Sequence, residues 1–188
     1  VFIYDTSKDS DGGAWRKRCT KTSWFNEPLN TATRGARREF PAVAVIVAEA
    51  TKVTIYDGDD PTLPMWMVFS LGGNTNGLQP ILGRSSNNIK CVAAKNGTLA
   101  VGCELVVGFA GGLRRVIFPS DDAFFHSSVG NETGHYAAGI AERNDISLYG
   151  FSGAQSAAPL IAGRTVNDVA MTVLPGAPVY PAAGLPVP

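Results

Sequence analysis

Charge is in short supply, and what there is cancels. Lys and Arg number 16, Asp and Glu number 16, and charged residues make up 17% of the 188. The basic footprint that a nucleic-acid-binding surface needs is therefore missing. The one dense basic run, Arg16, Lys17, Arg18 and Lys21, stands beside Asp5, Asp9 and Asp11. Those carboxylates blunt its field, and it reads as a solvated strand edge. Cysteine is limited to Cys19, Cys91 and Cys103, with no CxxC pair. Cys91 and Cys103 fall where two strands of one hairpin would carry them, but spacing alone does not make a disulfide, and small buried thiols are the simpler reading. No apolar run approaches the roughly 18 residues of a membrane span, so no membrane partner is expected.

Catalytic vocabulary is equally thin. His126 and His135 are the only histidines, and neither stands in HExxH or a zinc spacing. Ser85-Ser86 and Ser152-Gly153 lack the Gly-x-Ser-x-Gly elbow, and Gly111-Gly112 lacks the Lys and Ser/Thr of a phosphate loop. The expectation is a chain that is not an enzyme, with no catalytic residue, cofactor or metal. Helical periodicity is nearly absent too; only Ala137–Arg143 has good helix formers, and Gly139 interrupts it.

What is present is turns and strands. Gly (21) and Pro (12) are plentiful, as many short strands joined by turns require. Val1–Thr6 alternates, meets the turn residues Lys8–Gly13, and is expected to pair with a strand at Trp15–Phe25. Pro41–Glu49 is an apolar run of strand length, read as buried on both faces. Lys52–Asp57 and Met65–Leu71 follow after short turns. Asn96-Gly97 is the clearest hairpin signal, because a type I′ turn needs positive φ at both central residues; it joins Ile89–Lys95 to Thr98–Cys103. Leu113–Phe118 and Ala123–Ser128 read as further strands, Ile146–Phe151 as a weaker one, and Asp168–Leu174 as the last. Asn26–Arg38, Gly72–Asn88 and Asn131–Gly163 read as long loops.

The order of these pieces predicts an all-β fold. Groups of sequential antiparallel strands, around 41–71 and 89–128, are what propeller-like blades require, and 168–174 would open a further blade. A β-sandwich or jelly roll uses the same ingredients and is the alternative. Residues 1–188 read as a single β-rich domain or a fragment of a longer chain, since both ends look cut.

Three features are weighed as sites. Ser7, Asp9, Asp11 and Gly12 fit the first half of an EF-hand loop, but Arg18 takes the place of the closing Glu. Asp11-Gly12-Gly13 followed by Trp15 is similar to the Asp-box hairpin of sialidase-like propellers, one residue short and with Ala14 for the usual hydroxyl. Asp57, Asp59 and Asp60 form an acidic turn, better read as carboxylates bonding nearby backbone than as an acid/base pair. Trp24, Phe25, Phe124, Phe125, Tyr136 and Tyr149 are the candidate contact surface, with cross-strand packing as the plainer reading.

Several stretches carry a resemblance. Tyr4–Arg18 (YDTSKDSDGGAWRKR), Arg38–Glu49 (REFPAVAVIVAE), Val53–Asp60 (VTIYDGDD) and Leu63–Phe69 (LPMWMVF) resemble large virion proteins of tailed phages of marine bacteria. Asp168–Pro178 (DVAMTVLPGAP) and Gly184–Pro188 (GLPVP) resemble a repeat opening in the same proteins, where a strand of a propeller-like blade comes next. The resemblance implies a structural or appendage protein of the virion (tail, fibre or capsid decoration) whose partners are other virion subunits, as a homo-oligomer or within a larger assembly. A carbohydrate-binding adhesin for a host-surface glycan and a sialidase-like glycan hydrolase are the competing expectations.

Overall fold

The computed structural model describes residues 1–21, 39–73, 79–105, 111–128, 134–136, 139–146 and 161–188. Two antiparallel sheets carry the fold. The first has the order β1-β2-β3-β4, with β1 at Phe2–Asp5, β2 at Val43–Ala48, β3 at Lys52–Asp57 and β4 at Met65–Ser70. The second has the order β5-β6-β7-β8-β9: Asn87–Lys95, Thr98–Leu105, Gly112–Ile117, Asp122–His126 and Gly134–His135. A small hairpin of β10 (Val179–Tyr180) and β11 (Leu185–Pro186) ends the chain. The fold is all-β, as the period-two pattern predicts, and the described sheets do not close into a propeller ring.

One apolar core lies between the sheets. Tyr4, Ala44, Ile46, Val53, Ile55, Met67 and Phe69 enter it from the first sheet, and Leu99, Val101, Cys103 and Val116 from the second. Its centre is aromatic. Phe40 has its ring centroid 5.0 Å from Trp15, 4.9 Å from Trp66 and 4.9 Å from Phe118. Tilted and edge contacts of this kind add to the area term that drives burial.

Two strand expectations fail. Trp15 lies not on a strand but in a 3-10 helix, Ala14–Lys21. Gly12 and Gly13 take positive φ, and the N–H of Ala14 and Arg16 bond back to the carbonyls of Asp11 and Gly13, winding the chain instead of extending it. Residues 22–25 of the expected strand lie outside the described residues. The partner of β1 is instead β2, with Ile3 opposite Val45 and Tyr4 opposite Ala44. Asp168–Leu174 belongs to no sheet. Of Ile146–Phe151 only Ile146 is described, in a bend.

The apolar run at β2 is not buried on both faces. Ala44 and Ile46 are buried while Val43, Val45 and Val47 are partly exposed. The register places Val45 and Val47 in the middle cross-strand rows of the outer face, Ile3, Val45, Tyr56 and Met65 in one and Val47, Thr54 and Val68 in the next, with Val43 opposite Asp5 and Lys52 opposite Ser70 on either side of them. An antiparallel sheet with one wet face ordinarily alternates apolar with polar. Here those rows contain no charged residue.

Candidate functional site

Asp9 is the most heavily used carboxylate. It is buried, and its Oδ2 accepts from the Tyr4 hydroxyl and from Trp15 Nε1 at 2.8 Å. Its Oδ1 accepts the N–H of Asn96 at 2.8 Å, and Tyr4 in turn accepts the N–H of Gly97 at 2.8 Å. Asn96 closes the network by donating Nδ2–H to Ser10 Oγ and to the Pro186 carbonyl. The Lys8–Gly13 turn, the β5–β6 turn and the final hairpin are thus pinned at one point. Burial, with the Asp9 carboxylate beside it, pushes the Tyr4 phenol well above its ordinary range. The cluster is committed to structure. Asp11 accepts the N–H of Gly13 and pairs with Arg18, so the positions compared with a calcium loop serve the turn itself.

The acidic turn behaves in the same way. Asp59 accepts the N–H of Ala42 at 2.8 Å and of Val43 at 2.9 Å, stapling the turn to the start of β2. Asp57 accepts the N–H of Asp59, and Asp60 accepts both the N–H and the hydroxyl of Thr62. Among the described residues, no three His, Cys, Asp or Glu side chains converge as a metal would need.

The three cysteines are free thiols. Cys91 lies opposite Gly102, over the space where a side chain would stand, whereas Cys103 enters the core. Consecutive residues of β6 point to opposite faces, so the two sulfurs are separated by the sheet. Burial pushes the Cys103 thiol up to about 11 and that of Cys19 to about 12.

The expected aromatic surface does not form where it is described. Phe125 is buried with the Arg114 guanidinium 3.4 Å over its ring, and Tyr136 is buried with its hydroxyl donating to the Glu142 carbonyl. Phe124 is half-buried against His135, centroids 5.0 Å apart. These rings fill the sheet and its flank, because strand alternation and cross-strand pairing consume them. Trp24, Phe25 and Tyr149 lie outside the described residues.

The polar group that sequence reasoning missed is centred on Asp122. Its Oδ1 lies 2.8 Å from His135 Nε2, and its Oδ2 accepts from the Tyr180 hydroxyl at 3.0 Å. Tyr180 is pushed up to about 12 by burial and by Asp122, and Arg115 nearby acts the other way. His126, the other histidine, is buried on β8. The Asp122 group ties the final hairpin to β8 and β9. Its only sequence signal is the Asp121-Asp122 turn, since Tyr180 is 58 residues away.

Beside this group, a space of about 700 Å3 separates the outer face of the second sheet from the segment that passes over it. Ala100, Leu113, Arg115 and His126 form the floor, and Val169, Met171, Leu174 and Pro178 stand across from them. It is an apolar gap with one cation at its side, not a set of converging reactive groups. No family model, no curated protein and no solved structure matches the chain.

Proposed function

We propose that this chain is a non-enzymatic structural protein of a virion, a tail, fibre or capsid-decorating component, and that it works through protein–protein contacts. The resemblance to phage virion proteins supplies the setting. The observation that carries the contact role is the outer face of the first sheet, where Ile3, Val45, Tyr56 and Met65 form a partly exposed, uncharged row beside Val47 and Val68. Contiguous apolar surface of this kind marks an interaction site. Supporting it, the carboxylates that chemistry would recruit are bonded to the chain's own backbone, Asp59 to Ala42 and Val43 and Asp9 to Asn96.

The test is quantitative mass spectrometry of purified particles from the phage that encodes the chain. A fixed copy number per particle is expected, resistant to salt washing. Recovery of the chain only in the soluble fraction of infected cells would overturn the reading. A glycan array with the same chain separates the adhesin alternative, for which saturable binding to one glycan class would be the signature.

A further inference from the structure

Asp168–Leu174 has the exposure pattern of a strand and no strand partner. Val169, Met171 and Val173 are partly buried while Asp168, Ala170, Thr172 and Leu174 are exposed, an alternation of period two. Yet these residues pair with no strand, and the amides of Ala170–Leu174 make no hydrogen bond among the described residues. The segment is anchored at both ends, by the Val166 N–H on the Cys103 carbonyl and by the hairpin that begins at Val179. Between the anchors it stands off the second sheet across the gap of about 700 Å3. A complete sheet facing another packs its side chains into such a space; a single strand leaves it unfilled.

The first sheet has a matching opening. β1 is an edge strand, paired on one side only, and a groove of about 150 Å3 runs along it past Ala94 and Lys95. Six large apolar side chains are exposed among the described residues, and four lie on or beside these two elements: Ile3 on β1 with Val1 just before it, and Leu174 on the segment with Val179 opening β10 beyond it. Asp5, Lys8, Asp9 and Lys95 border the groove beside Ile3, and an open edge strand is a template for pairing with another chain.

We infer that Asp168–Leu174 receives the β1 strand of a second copy of this chain, by strand addition, joining copies head to tail. The inference rests on the assembly role proposed above and names its partner. Main-chain bonds along 168–174 would supply the affinity, and Ile3 with Val1 before it, the outward-facing apolar side chains of the incoming copy, would enter the gap beside Val169 and Met171. The zero formal net charge leaves no overall repulsion between identical copies. Because the two surfaces differ, the contact is heterologous and propagates into a ring or filament rather than closing as a dimer.

The experiment uses the full chain and a labelled peptide of residues 1–6, Val-Phe-Ile-Tyr-Asp-Thr. Sedimentation velocity is expected to show mass rising with concentration, and excess peptide is expected to return the chain to monomer. Peptide binding, read by fluorescence anisotropy, should saturate. Thr172→Pro and Val173→Pro remove amides on opposite edges of the segment, and at least one should weaken binding tenfold or more. An Ile3→Lys peptide, which leaves the receiving chain untouched, should bind at least tenfold more weakly. A chain that stays monomeric and ignores the peptide overturns the inference, as does binding indifferent to all three changes. Particle incorporation without peptide binding would leave the virion role standing and remove this contact. Peptide binding by a chain absent from particles would do the reverse.

Discussion

At the scale of single residues, two positions hold the molecule's turns. Asp9 is the first. Replacing it with Ala strands the Tyr4 hydroxyl, Trp15 Nε1 and the Asn96 amide at one buried point. Bonds to a charged acceptor are the stronger kind, so Asp9→Ala should lose on the order of 3 kcal/mol in urea unfolding. A loss under half a kcal/mol would mean that water replaces the carboxylate. Gly97 is the second. Asn96 has φ 49° and Gly97 φ 68°, the pair that a type I′ turn demands. A Cβ on Gly97 would also meet Pro119 Cδ and Cγ at 2.8 Å. Gly97→Val therefore combines a left-handed β-branched residue with a clash, and should cost about 2 kcal/mol or more. An unchanged melting temperature would contradict the turn.

The buried thiols give a pH dependence of definite sign. Cys19 and Cys103 are raised from 9.0 to about 12 and about 11. Above pH 9 the unfolded thiols lose protons while the folded ones keep theirs. The stability they contribute is thus complete below pH 9 and falls as pH rises through 11 to 12. Tyrosine and lysine side chains titrate across the same range. The measurement is therefore a difference: Cys19→Ala with Cys103→Ala should show a shallower decline of melting temperature between pH 9 and 11 than the parent. Parallel curves would place those thiols in contact with water.

At the scale of elements, legibility depended on how local the cause was. The β5–β6 hairpin could be read because Asn96-Gly97 fixes its own dihedrals. Strands β2, β3 and β4 could be read because their apolar residues follow one another within short turns. Trp15 could not, since the alternation of Trp15, Lys17 and Cys19 suits a strand. What decides is a bond from Trp15 Nε1 to Asp9 and the packing of Phe40 on its ring, neither of which leaves a mark in local pattern. The pairing of β1 with β2 is of the same kind, separated by some forty residues. The Asp122–His135–Tyr180 group was invisible for the same reason. At Asp168–Leu174 the pattern and the structure differ instructively: alternation is present and a partner strand is not. Local propensity prepares a strand, and only a second strand completes it.

At the scale of the whole molecule, two antiparallel sheets share an aromatic core and expose what most closed domains hide. The first sheet keeps two uncharged rows in the middle of its outer face; the second is overhung by a segment that stands off it across a gap. A molecule finished by itself would cover or charge these places. One that is finished by neighbours has reason to leave them open. The most direct measurement is amide hydrogen exchange of Ala170–Val173, followed from dilute chain to assembled material. Assembly by strand addition predicts fast exchange in the dilute chain and slow exchange once copies associate, with the amides of β6 protected in both. Amides of Ala170–Val173 that exchange equally fast in dilute and associated chain, or that are already protected in the dilute monomer, would contradict it.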